Sequence, residues 1–327
     1  MPSPLQSNVS KDIATGVVAT LGIFGLWAIM PVMGLVFSIF IPLPILFYRI
    51  KLGRHHSIFI PVVVMAMIGL ISGGPTTDLF FFSAFIALGF FLGEMIEKSL
   101  PVEMVVVAAC AGVIGIGVGI LLMYSVIAHK GIVELISDHV KTSLELSLAL
   151  YKSFEMPQET IDAISGSLDR IQYVMVRLLP SMATASILFV AWINLIAGRS
   201  LVTRSGLTFP DYGRLNRWRA PEGLVWGMIA SIAILVLMSS TGFRLLGISG
   251  LLVMMVIYFM QGIAIVSFFL EKNKLSRAVR VLVYSLIAFQ QILVLIVVSI
   301  GFFDVWIDFR KLSPNRREPD PSDRDSV

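Results

Sequence analysis

HKGIVELISDHVKTSLELSLALYKSFEMPQETIDAISGSLDRIQYVMVR, residues 129–177, is the one long polar stretch in a chain that otherwise reads as successive apolar segments. It sets Glu134, Asp138, Glu145, Glu155, Glu159, Asp162 and Asp169 against Lys130, Lys141, Lys152 and Arg170. Val140, Leu144, Leu148 and Tyr151 recur at helical spacing, as do Ile161, Ile164, Leu168 and Ile171 after Pro157. The stretch predicts two amphipathic helices broken at Met156-Pro157, because proline ends the helix that precedes it. This excursion parts the chain into five apolar segments before it and four after.

The composition sets the class. Only 14% of the 327 residues are charged, 57% are hydrophobic, and mean hydropathy is +0.88. A soluble domain carries about 25% charged residues. Roughly half that share, with apolar runs near 20 residues, predicts an all-α, polytopic transmembrane bundle of about nine segments. The net charge of +4 reflects Lys and Arg in loops on the cytoplasmic side and does not point to nucleic acid. Cys110, the single cysteine, lies within an apolar run, so an intrachain disulfide and a cysteine metal cluster are both excluded. The segment from Ile13 follows a weakly basic start without a small-residue cleavage site, which predicts a retained first helix.

The expected segments are Ile13–Met30, Leu35–Tyr48 with a bend at Pro42 and Pro44, Ile58–Ile71, Leu79–Ile96 and Val102–Ala128. After the excursion come Tyr173–Ala197, Leu224–Gly242, Leu245–Leu270 and Val281–Phe303. By domain this reads as a five-helix part over 1–128, extracytoplasmic helices over 129–172, a four-helix part over 173–312 and a disordered tail over 313–327. Basic residues orient it. With the N-terminus inside a bacterial inner membrane, Lys11, Arg49–Arg54, Lys98, Arg199–Arg219 and Lys272–Arg280 all face the cytoplasm. One conflict remains. Nine crossings put Arg310, Lys311, Arg316 and Arg317 outside, against the rule.

Catalytic motifs fail on inspection. Gly247-Ile-Ser249-Gly250 resembles the GxSG of rhomboid-type proteases, but the histidines are 55, 56, 129 and 139, all upstream of the serine. No HExxH, P-loop or pair of intramembrane aspartates occurs, so neither an enzyme nor a cofactor is expected. Polar groups at membrane depth are costly and are therefore candidates for a ligand site. These are Glu94, Asn194, Gln261, Gln290, Gln291 and Asp304. The structural alternative is hydrogen bonding between helices. Gly89 and Gly93, and Ala111, Gly115 and Gly119, form small-residue faces that let helices pack closely or dock a coupling subunit. Trp218, Arg219, Trp306 and Arg310 read as membrane-interface anchors. Asp304 and Asp308 share a face if the helix continues; Asp304 and Arg310 meet only if it unwinds after Trp306.

The order of several weak motifs resembles the YybS-like bacterial membrane proteins, a family of unknown function. These are Pro42-Leu-Pro44 with Arg49 and Gly53; Pro180, Asn194 and Arg199; Phe209 with Trp218-Arg-Ala-Pro221; and Gly301-Phe-Phe-Asp304-Val-Trp-Ile-Asp308-Phe-Arg310-Lys311. More distantly, the first six segments are similar to S components of energy-coupling-factor transporters. That resemblance implies a small-molecule-binding or transport component with no ATPase of its own, working with a coupling subunit. The alternative is a non-transporting scaffold that binds proteins through the excursion and the loop 199–223. A closed pocket lined by the polar groups of segments four, six and nine would favour transport. A solid bundle with an apolar stripe exposed on the excursion would favour the scaffold.

Overall fold

The computed structural model describes residues 9–74, 77–154 and 157–311; Met156 and the tail over 313–327 lie outside them. Among the described residues the secondary structure is helical, with no strand. The helices are α1 (Val9–Ile29), α2 (Pro31–Ser38), α3 (Pro42–Ser57), α4 (Phe59–Ile71), α5 (Thr77–Glu97), α6 (Val102–Ala128), α7 (Ile132–Ser153), α8 (Gln158–Ser165) and α9 (Leu168–Arg204). A 3₁₀ turn at Leu215–Arg217 leads to α10 (Leu224–Leu237), α11 (Thr241–Lys272), α12 (Arg277–Phe289) and α13 (Gln291–Ile307).

Nine full segments become fewer. Among the described residues six helices are long and apolar enough to cross a membrane, or up to seven if the bent pair α12–α13 counts as one span. The apolar α4 has 13 residues and α10 has 14. At 1.5 Å per residue each is about 20 Å long, short of a hydrocarbon core of about 30 Å. α4 stops because Gly73 and Gly74 take φ of +73° and +136°, a region other residues rarely adopt. The expected ninth segment, Val281–Phe303, is not one helix: it breaks at Gln290, and its halves are bent by 102°. Segment two is interrupted at its prolines, though Val36–Ser57 still reads as one span. Residues 39–41 form a turn, and Pro42 opens a new helix at a position where its missing N–H has no intrahelical partner to lose.

The chain divides into two compact units, Met1–Asp211 and Tyr212–Val327, so the boundary falls inside the expected loop 199–223. The core of the first unit joins Val17 and Phe24 of α1, Ile45 and Tyr48 of α3, Ile60, Val64 and Ile68 of α4, and Phe82 and Ile86 of α5. Phe82 sits edge-on to Phe24 and Trp27, with centroids at 4.9 and 5.1 Å.

The excursion is shorter than expected in its second half. α8 ends at Ser165, and Leu168 already begins the 37-residue α9. The Ser165-Gly-Ser167 sequence explains the break, since glycine and serine favour turns over helix interior. α9 is about 55 Å long, well beyond the bilayer core. Its first turns carry Asp169, Arg170, Gln172 and Arg177, and its uncharged run starts at Leu178. α7 packs against this polar start. Gln172 Nε2 donates to the carbonyl and the hydroxyl of Ser137 at 3.1 and 2.8 Å. Val140 and Ile161 are buried, and Leu144, Leu148 and Ile164 are half-buried.

In the second unit, Tyr258 of α11, Met228 of α10 and Val298 of α13 form the core. Gly247 and Gly250 lie against Ser231 of α10, so the GxSG-like motif is a packing surface. A Cβ on Gly262 would meet the backbone of Val297, and one on Gly301 the backbone of Tyr258 and Gly262. These two glycines set how closely α11 and α13 cross.

Candidate functional site

Two clusters of charge are built into the fold, one in each unit. In the first, α3 restarts at Pro42, which carries Arg49 two turns into a helix and leaves its side chain fully buried. The Arg49 Nη2 donates to both Glu94 Oε2 and Glu97 Oε2 at 2.6 Å. Among the described residues its Nε and Nη1 have no hydrogen-bond partner. Gly93 leaves room for this, because a Cβ there would run into the Arg49 stem, and Gly89 abuts Pro42 in the same way. The small-residue face of α5 therefore packs within the chain. Beside it Lys51 Nζ meets Asp12 Oδ1 at 2.7 Å, and Arg54 approaches Glu94 at 3.5 Å. The start of α1 and the ends of α3 and α5 thus gather at one end of the unit. A pocket of about 300 Å³ opens there, lined by Ile50, Ile96, Glu97, Ser99, Thr208 and Pro210.

The second cluster joins α11, α13 and the loop before α10. Asp304 is fully buried and accepts from Arg310 Nη2 at 2.8 Å, from Gln261 Nε2 at 3.2 Å and from the Phe309 amide at 3.0 Å. Gln261 Oε1 accepts from the Ala220 amide at 3.1 Å. Arg310 Nη1 donates to the carbonyls of Asn216 and Trp218 at 2.9 and 3.0 Å. Arg219 pairs with Asp308 and comes within 3.7 Å of Asp304. All this requires α13 to end at Ile307, and it does: Asp308 takes φ +45° and turns the chain back. Burial draws the Arg310 guanidinium below its ordinary value, while its hydrogen bond to Asp304 works the other way.

The remaining candidates scatter. Asn194 is buried but spent on structure: its Nδ2 donates to the carbonyls of Ile39 and Val190 at 2.7 and 2.8 Å. Asn194→Leu is expected to lower unfolding stability in detergent by about 1–3 kcal/mol, since the Ile39 carbonyl loses its donor. Gln290 and Gln291 are exposed at the α12–α13 break and do not reach Asp304. Ala111, Gly115 and Gly119 are exposed, and a Cβ on either glycine meets nothing within 4 Å. Gly115→Leu is accordingly expected to leave the chain's melting temperature unchanged; a clear drop would reveal a neighbour on that face. Trp306 is exposed, whereas Arg310 is buried in the cluster and is not placed as a headgroup anchor. Trp218 and Arg219 hold the cluster through a carbonyl and a guanidinium. Among the described residues no three His, Cys, Asp or Glu side chains group to hold a metal.

Arg49 is the residue that sequence reasoning missed. It follows the expected segment Leu35–Tyr48, but a helix restarting at Pro42 carries it and buries it. Comparison with protein families shows that residues 18–305 match DUF2232, described as a predicted membrane protein. The chain belongs to that family. The match takes in both charged clusters apart from Asp12 and the Asp308–Arg310 end. No curated protein and no solved structure matched the chain.

Proposed function

We propose that this chain is a non-catalytic membrane scaffold that binds another protein through the α7–α8 projection. The observation that carries this reading is an apolar stripe along α7 that stays exposed among the described residues. Leu146, Leu150 and Phe154 follow one another at four-residue spacing and are 63%, 58% and 75% exposed. Leu146 and Leu150 lie on α7 and Phe154 directly follows it; α7 packs against the polar start of α9, outside the apolar windows. Acidic residues outnumber basic ones over 129–172, which disfavours an anionic lipid surface and favours a protein with a basic rim. Of the polar groups expected to line a ligand site, Asp304 is engaged by Arg310 and Asn194 by two carbonyls. A photoreactive phenylalanine analogue at Leu150 is expected to crosslink to one discrete protein in native membranes. The same probe at Lys141, on the far side of α7, should not. Adducts to lipid alone, or none, would sink the scaffold.

A second reading, small-molecule binding, is favoured by the pocket beside Glu97 and by the two unpartnered nitrogens of Arg49. It keeps the transport-component expectation, and the similarity to S components belongs with it. Co-purifying small molecules, identified by mass spectrometry and lost on Thr208→Trp, would support it. For either reading we place the N-terminus in the cytoplasm of a bacterial inner-membrane protein, on the distribution of Lys and Arg. The ends of α3 and α5 meet at Arg49, so α4 carries the chain across between them; cysteines at Ser143, but not at Ser205, are then expected to react with an impermeant maleimide in cells, with Cys110 replaced by Ala.

A further inference from the structure

The contacts of the second cluster run in one order. Gln261 meets Asp304, Arg219 meets Asp308, and Asn216 and Trp218 meet Arg310. Asn216 in turn donates its side-chain amide to Glu271, one residue from the end of α11. Through Asn216, the end of α13 therefore lies beside the end of α11. The start of α12 is pinned to that same end. The Leu275 amide donates to the Leu270 carbonyl at 3.2 Å, and Arg280 Nε donates to the Leu275 carbonyl at 3.1 Å.

The α12–α13 pair thus leaves the C-terminal end of α11 and comes back to it. A full return across the bilayer would need a helix of about 20 residues. α12 has 13, and the turn at Gln290 is 102°. With arms of about 20 and 25 Å, that angle puts the apex about 17 Å from the line joining the ends. This is close to half the bilayer. α12 is also amphipathic. Leu282, Leu286 and Phe289 lie on one side, 58%, 46% and 88% exposed, with Arg277 and Arg280 on the other.

We infer that α12 and α13 form a hairpin that dips into one leaflet and returns to the face it entered from, with the apolar side of α12 against the lipid acyl chains. Lys272, Lys274, Arg277 and Arg280 stand at its mouth, where anionic headgroups complement them. Arg310 and Lys311 then emerge on the same face as Arg214, Arg217 and Arg219. That removes the conflict with the basic-residue rule that nine crossings create, because Arg310 and Lys311 no longer lie opposite Arg214, Arg217 and Arg219.

Cysteines at Lys274 and Lys311, each in a Cys110→Ala background, test the topology in right-side-out and inverted vesicles. Both are expected to react with an impermeant maleimide from the same side; labelling from opposite sides overturns the hairpin. Should either variant fail to insert, full-length C-terminal fusions to green fluorescent protein and to alkaline phosphatase report the side of the tail. A nitroxide on Leu286→Cys tests the occupant. Its relaxation is expected to respond far more to oxygen than to a water-soluble nickel chelate. A stronger response to nickel means water, and a weak response to both means a covering protein; either result overturns the lipid assignment.

Discussion

Asp304→Leu is expected to lower unfolding stability in detergent by about 3–5 kcal/mol, the usual effect of removing one partner from a buried ion pair. The substitution strips Arg310 of its carboxylate while its side chain stays buried with 0% exposure. It also removes the acceptor for Gln261 and for the Phe309 amide. The chain reversal at Asp308, which sets the end of α13, loses its fastening. A double variant, Asp304→Leu with Arg310→Met, is expected to recover most of the loss, because no uncompensated charge remains. Asp304→Asn should fall between wild type and Asp304→Leu. Thermal or denaturant unfolding of the three variants measures this. If Asp304→Leu unfolds like wild type, Asp304 is no keystone of the second unit.

Gly301→Leu carries the other large effect. Overpacking a core typically costs about 1–3 kcal/mol, and the upper end or more is expected here. The added Cβ meets backbone atoms of Tyr258 and Gly262, which cannot rotate aside as a side chain can. The α11–α13 crossing must open, and Gln261 then separates from Asp304. Loss of stability should therefore appear together with non-additivity toward Asp304→Leu, as the two share one crossing. Gly115→Leu, on an open face, is the matched control. Equal melting temperatures for Gly301→Leu and wild type would mean that the two helices do not touch at this point.

The contrast between Gly301 and Gly115 shows what a sequence can convey. Small residues four apart on α6 are visible along the chain, yet a Cβ on Gly115 or Gly119 would meet nothing within 4 Å among the described residues. Gly262 and Gly301 stand alone on separate helices, so no spacing within either helix marks them. Arg49 and Glu94 likewise lie 45 residues apart, and Gln261 and Asp304 43 apart. Such pairings depend on how helices cross and in which direction they run.

The sequence by itself determined the helical membrane character, the amphipathic excursion, the break at Pro42 and the polar residues that had to be accounted for at depth. Each of these follows from hydropathy, periodicity or the geometry of proline, and all are local properties of the chain. Only the tertiary structure decided that Asp304 belongs to Arg310 and Gln261, that Arg49 is buried between two carboxylates, and that the last apolar segment turns by 102° at Gln290. The physical reason is that a buried polar group must find its partner in space. Hydropathy registers only that the group is polar, and the partner is supplied by a helix whose place along the chain carries no trace of the encounter.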